Sequence, residues 1–210
     1  MGTDIFSACE VRKNGKWTYN RKKIFPLWDD KKTNIPIIYR DYNLFAVLAN
    51  VRNGVGFAGV TTGDEFNYID EPRGLPDGIS DAAKKKLFQG GYGESWYTLT
   101  ELKNFNWLQL HKTLGVVSYD EYEKTAAIGE RPNSWCSWVG GKDVIIVDES
   151  QFPLKQMKKD KLYYVSCEFP AETYDAECGY FYSETIPILE SLIPVGGTSD
   201  DVRIVFNFDC

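Results

Sequence analysis

Residues 44–51 constrain this chain more than any other stretch. Leu44, Phe45, Val47, Leu48 and Val51 recur at helical spacing and form a wide apolar stripe, so the pattern predicts a buried amphipathic helix over Tyr42–Arg52, the central core helix of the fold. Asn43 is placed to cap its start, because an Asn side chain accepts a bond from an otherwise unpaired backbone N–H. Asn53-Gly54 supplies the stop, since both residues tolerate the left-handed conformation that closes a helix. Arg52 then falls at the C-terminal end, where a cation opposes the helix dipole favourably.

The remaining elements can be read around that helix. Ile5–Arg12 is rich in strand formers, Asn14-Gly15 follows, and Lys16-Trp17-Thr18-Tyr19 resumes the strand pattern. An Asn-Gly pair between two such runs predicts a β-hairpin, because a type I′ turn needs positive φ at both positions. Residues 21–36 read as loop, with Trp28 as an isolated anchor. Gly54-Val55-Gly56-Phe57-Ala58-Gly59 spells G-x-G-x-x-G, but a dinucleotide site follows a strand and opens a helix, whereas these glycines follow a helix and open none. A loop is expected there instead. Ser80 is the expected cap of a short helix reaching Phe88, and Gly90-Gly91-Tyr92-Gly93 breaks it. Thr98 with Glu101 forms a capping box, and Ser118 with Glu121 forms a second, its helix ending near Gly129. Strands are expected at Val144–Val147, Leu162–Phe169 and Val202–Phe208, with a helix near Pro187–Ile193. Helices and strands do not alternate, which predicts an α+β fold: one domain spanning 1–210, with a mainly antiparallel sheet packed on the central helix.

Composition narrows the function classes. The net charge of −6 argues against general nucleic-acid binding, which depends on neutralising phosphates with Lys and Arg. The clusters Arg21–Lys23, Lys84–Lys86 and Lys155–Lys161 read as solvated faces. No apolar run approaches the roughly 18 residues that span a bilayer, so no membrane partner is expected. The start lacks a signal-peptide pattern, because Asp4 and Glu10 interrupt it, and a cytoplasmic location is predicted. Five cysteines with no C-x-x-C spacing point to reduced thiols, with Cys9 and Cys167 as small buried hydrophobes. The oligomeric state is left open.

Several blocks carry a resemblance. The opening Met1-Gly2-Thr3-Asp4-Ile5, the stretch Tyr42–Asn53, Arg73-Gly74-Leu75-Pro76, Ser95–Leu102 and the closing Val202–Asp209 are similar to a family of uncharacterised proteins from bacteriophages and some bacteria. The resemblance implies a phage origin and action inside a host cell, and it supplies no chemistry. Phe6 and Tyr92 stand where that family often carries histidine, which argues against carrying over a metal role.

The chemistry is sparse. A single histidine, His111, excludes a histidine zinc cluster and leaves no catalytic triad that does not use it. No cofactor is expected. A carboxylate-held magnesium site could draw on Asp4, Glu10, Asp41, Asp64, Asp70 or Asp77, which keeps a hydrolase of phosphate esters as the alternative function. The more specific pattern is aromatic residues beside glycines with arginines nearby. Tyr92 and Trp96 flank Gly93, Arg131 precedes Trp135 and Trp138, and Arg52 and Arg73 adjoin glycine or proline breaks. Flat rings stack on bases and Arg pairs with phosphate, so Arg52, Arg73, Tyr92, Trp96, Arg131, Trp135 and Trp138 form the candidate ligand-binding set. Anchoring of core or loops is the more common role of such aromatics, and Trp, Tyr and Arg equally dominate protein interfaces. The expected function is a non-enzymatic binding protein whose partner is a nucleotide-like small molecule or a host defence protein.

Overall fold

The structure, a computed structural model, describes residues 2–26, 32–55, 65–136 and 141–209. It is α+β with mainly antiparallel sheets. The chain divides into two compact units, the first made of Met1–Asn53, Phe66–Gln109 and Tyr174–Cys210, the second of Gly54–Glu65 and Leu110–Thr173.

In the first unit the chain runs through β1 (Ile5–Lys13), β2 (Lys16–Tyr19), the short β3 (Phe25–Pro26) and β4 (Lys32–Thr33), α1 (Tyr42–Ala49), α2 (Asp81–Lys84), β5 (Tyr92–Thr98) and α3 (Leu99–Asn104). The second unit holds β6 (Leu110–His111), β7 (Leu114–Ser118), α4 (Tyr119–Lys124), β8 (Val144–Asp148), β9 (Leu162–Glu168) and β10 (Glu172–Thr173). The chain then returns to the first unit with α5 (Tyr174–Glu177), a π-turn at Phe181–Thr185, α6 (Ile186–Glu190) and β11 (Val202–Phe208).

The main sheet has the order β2-β1-β11-β5 and is antiparallel throughout, with both chain ends in its middle strands. Period-2 alternation sorts its side chains. Cys9, Val11, Ile204, Phe206, Phe208 and Tyr97 point to the face that packs on α1, whose Leu44, Phe45, Val47 and Leu48 are buried. Phe45 meets Phe208 edge-on at 5.2 Å. Each such side chain contributes about 1.5–3 kcal/mol on burial, so the helix-on-sheet layer is the main source of stability in this unit. The other face carries Ala8, Glu10, Arg203, Val205 and Asn207. It is covered in part by the segment around α2, where Ala83 is fully buried and Phe6 lies 5.2 Å from Phe88. Asn207 clamps that segment by bonding both backbone groups of Phe88 at 2.8 and 3.0 Å. A Cβ at Gly91 would lie 2.3 Å from the Asn207 amide, so only glycine passes there.

The hairpin turn forms as expected, with Asn14 and Gly15 at φ 50 and 74. The expected helix is present but its ends differ. Asp41, not Asn43, is the N-cap, accepting the Leu44 N–H at 3.0 Å, while the Asn43 side chain reaches Glu177. The helix also stops early, because Asn50 itself turns left-handed at φ 55 and donates back to Ala46 O at 2.8 Å. Ser80 caps α2 as expected, yet that helix ends at Lys84, since the Phe88 backbone is held by Asn207. The Thr98–Glu101 capping box is complete. The strand expected at Val202–Phe208 is β11, while β5 was not foreseen. The G-x-G-x-x-G loop beyond Val55, together with Trp28, lies outside the described residues.

In the second unit β7 and β8 flank β9, β7 antiparallel and β8 parallel to it, around Val117, Tyr122, Val147, Val165, Cys167 and Phe169. Ser118 caps α4, and Gly129 closes the following turn at φ 80. Two tied points bracket the excursions from the first unit. Asn53 bonds both backbone groups of Phe66 at 2.7 Å, and the Tyr174 N–H donates to Gln109 O at 2.9 Å while Leu110 pairs with Thr173 one residue further on.

Candidate functional site

The outer face of the main sheet starts from a buried charge. Glu10 and Arg203 are cross-strand partners in β1 and β11, and their side chains are 0% and 2% exposed. The Arg203 Nε donates to Glu10 Oε2 at 2.9 Å, with Nη2 at 2.8 Å from the same oxygen. Burial lowers the Arg203 pKa from its ordinary value, and the Glu10 carboxylate opposes that shift. The second Glu10 oxygen accepts the Ser80 N–H at 2.8 Å, and Arg203 Nη1 reaches Asp77 O at 3.4 Å. The ion pair therefore fixes where residues 77–80 lie against the hairpin.

Trp17 sits over this pair, with the Arg203 guanidinium 3.9 Å from its ring centre. Its cross-strand partner Arg12 lies 5.3 Å from the same ring and is held by Asp201 at 2.7 Å. Two residues on, Tyr19 pairs with Glu10 on the same face. Between β2 and the segment Gly78–Ala82 lies a groove of about 460 Å³, walled on the strand side by Trp17 and Tyr19 and edged by Lys16 and Arg21. That volume falls within the usual range for small-ligand sites. Chemically, the groove is lined by two half-buried aromatics, Trp17 with Arg203 against its ring and Tyr19 with Lys86 5.9 Å from its ring centre, and by the exposed cations Lys16 and Arg21, with Asp81 on the opposite wall.

The residues singled out from sequence sort into pairs. Arg73 stacks 4.1 Å over Trp96 and 4.8 Å over Tyr97, its Nε donates to Trp96 O at 2.9 Å, and it is paired with Glu101 at 2.7 Å. Arg203 is also 5.7 Å from Trp96, so Arg12, Trp17, Arg203, Trp96 and Arg73 form an alternating run of cations and rings across the sheet. Arg52 and Tyr92 meet at Thr3: the Arg52 Nε donates to Thr3 Oγ1 at 2.8 Å, the Tyr92 hydroxyl is 3.5 Å from that oxygen, and Arg52 lies over Tyr42. Arg131 stacks 4.6 Å from Trp135 in the second unit and is ion-paired with Glu172. Trp138 lies outside the described residues. The geometry thus joins each of these arginines to an aromatic partner, and Arg73 and Arg131 are each also paired with a carboxylate.

The sequence did not single out Lys16, Trp17, Tyr19, Arg21 or Arg203 as site residues, and it offered Glu10 only as one possible magnesium ligand, a role that its buried pairing with Arg203 replaces. A local signal existed: between residues 11 and 26 there are six cations and no carboxylate, with Trp17 and Tyr19 among them. Among the described residues no three His, Cys, Asp or Glu side chains gather as metal ligands. Burial pushes the thiols of Cys9 and Cys178 up, and that of Cys167 to about 11, which keeps them protonated and unreactive. No helix among the described residues is long and apolar enough to cross a membrane.

Comparison with known proteins adds no relative. No protein-family model, curated protein or solved structure matches this chain.

Proposed function

We propose that this chain is a non-enzymatic binding protein that takes a nucleotide-like anion in the groove beside β2. The observation that carries the reading is the pairing of two ring walls, Trp17 and Tyr19, with the exposed cations Lys16 and Arg21 around one cavity of about 460 Å³. A ring surface offers dispersion and stacking to any base, and a cation at the rim offers charge-assisted bonds to phosphate. The thiols of Cys9, Cys167 and Cys178, buried and pushed up by that burial, are not placed to act as nucleophiles. The alternative of a magnesium-dependent phosphate-ester hydrolase gains no support from the described residues, whose carboxylates do not gather into a ligand set. The resemblance to phage proteins gives the reading its setting, a host-cell cytoplasm where a nucleotide-like signal would be sequestered.

The test is incubation of purified protein with a nucleotide panel and magnesium, followed by heat denaturation and chromatography of the released ligand. Intact ligand recovered in proportion to protein supports sequestration. Turnover of any nucleotide would replace this reading with the hydrolase. In Trp17→Ala the bound ligand should fall at least tenfold, as expected when a ring anchor is lost.

A further inference from the structure

We infer that the β1–β2 hairpin docks single-stranded nucleic acid, so that the ligand is an oligonucleotide threaded past the groove and not a lone nucleotide. This rests on the groove reading above and extends it around the hairpin. A second groove of about 590 Å³ opens along the hairpin's turn, between Arg12, Lys13 and Lys22 and the loop at 191–197. The two grooves have no lining residue in common but are lined by opposite strands of one hairpin, since Arg12 and Lys13 of the second are the cross-strand partners of Trp17 and Lys16 of the first, and each is edged by cations of the same short segment. A four-residue strand is only about 13 Å long, so both rims lie within reach of a few consecutive phosphates. One mononucleotide would leave the second rim unused.

The charge balance favours a polyanion. Lys13, Lys16, Arg21 and Lys22 are exposed and form no ion pair with any described residue. Asp201, the carboxylate in the second groove, is taken by Arg12 at 2.7 Å, and Asp81 is the carboxylate facing the first. The net charge of −6 describes the whole chain. At physiological salt, charges further away than about 8 Å are largely screened, so the hairpin's own sign decides what it meets at contact. A single strand is specified by the rings: Trp17 lines the groove with Arg203 packed against it, and only unpaired bases can lie on such a surface.

The experiment is fluorescence anisotropy with fluorescein-labelled oligo-dT and oligo-rU of 5, 10 and 20 nucleotides, repeated over a range of salt and in competition with thymidine and uridine monophosphates. Affinity should rise at least tenfold from mononucleotide to 10-mer. If about three or four phosphates are neutralised, the logarithm of affinity should fall against log salt with a slope near −2 to −3, about −0.7 per phosphate. Lys13→Glu/Lys22→Glu should weaken 10-mer binding at least tenfold and flatten that slope, leaving mononucleotide binding and the melting temperature near native. The tighter of the two sugars identifies DNA or RNA as the source. Mononucleotide binding with no gain from length, or a 10-mer affinity unmoved by Lys13→Glu/Lys22→Glu, overturns the inference and leaves the groove reading standing. Oligonucleotide binding with no measurable mononucleotide binding upholds the inference and overturns the small-ligand reading, and binding of neither overturns both.

Discussion

Glu10 and Arg203 face each other across β1 and β11, out of water, with the arginine at 2.9 Å and a tryptophan lid 3.9 Å above it. Breaking such a pair leaves one charge buried without compensation, which typically costs 3–5 kcal/mol, whereas replacing both partners by apolar residues is often neutral. Glu10→Leu and Arg203→Met should each lower the chemical-denaturation midpoint strongly. The double variant Glu10→Leu/Arg203→Met should recover most of the loss. Additive losses in that double-mutant cycle would show that the pair is not coupled.

Phe45 is fully buried between α1 and β11. Phe45→Ala removes its burial and leaves a cavity, so a loss of about 3–5 kcal/mol is expected. Urea denaturation measures it. A loss under 1 kcal/mol would mean that the helix-on-sheet layer does not hold the unit together.

Gly15→Ala isolates the cost of the turn. Nothing lies within 4 Å of a Cβ there, so only the positive φ of 74 opposes the substitution. About 1 kcal/mol of destabilisation is expected, from the left-handed backbone alone. The same method reads it, and a neutral result would mean that the hairpin relaxes to another turn.

Two carboxylates contribute to the acid limb of stability. Burial alone would raise Glu101, but hydrogen bonds from Arg73 and Thr98 outweigh it and hold the carboxyl below its ordinary 4.5. Asp201 is held below its ordinary 3.8 by the Thr198 backbone N–H and by Arg12. A group with a depressed folded pKa stabilises the protein above its unfolded pKa, and that contribution is lost as pH falls through the folded value. Stability should therefore fall as pH drops below about 4.5, and the fall should be shallower in Glu101→Gln and in Asp201→Asn. Thermal melts at stepped pH test this, and curves parallel to native would exclude both groups.

Thiol labelling should separate the cysteines. Cys9, Cys167 and Cys178 are buried, whereas Cys136 is half-exposed. In a Cys210→Ser background one thiol per chain should react rapidly with Ellman's reagent, and the buried three only on unfolding.

What could be read from sequence was local. Asn14-Gly15 and Thr98–Glu101 hold their partners within a few residues, so the hairpin and the capping box were legible. Which polar residue capped α1 was not, because Asn43 is drawn off by Glu177, far away in sequence. β5 escaped notice since its glycine-flanked segment becomes a strand only through β11 at the chain's other end. The arginine–aromatic neighbours were visible as pairs. The groove was not, because its second wall is positioned by Ser80 and Asp77 meeting a buried ion pair from two distant strands.

The stitches at Asn53–Phe66 and at Gln109–Tyr174 bear on chain length. Each brings the start and end of a departing segment to one place, so unit one's path does not depend on how much chain lies between them. Closing a loop twice as long costs only about 0.6 kcal/mol more. A change in length between these stitches therefore costs unit one little in chain closure, while a one-residue frame slip inside β1 or β11 would turn the Glu10–Arg203 face inside out.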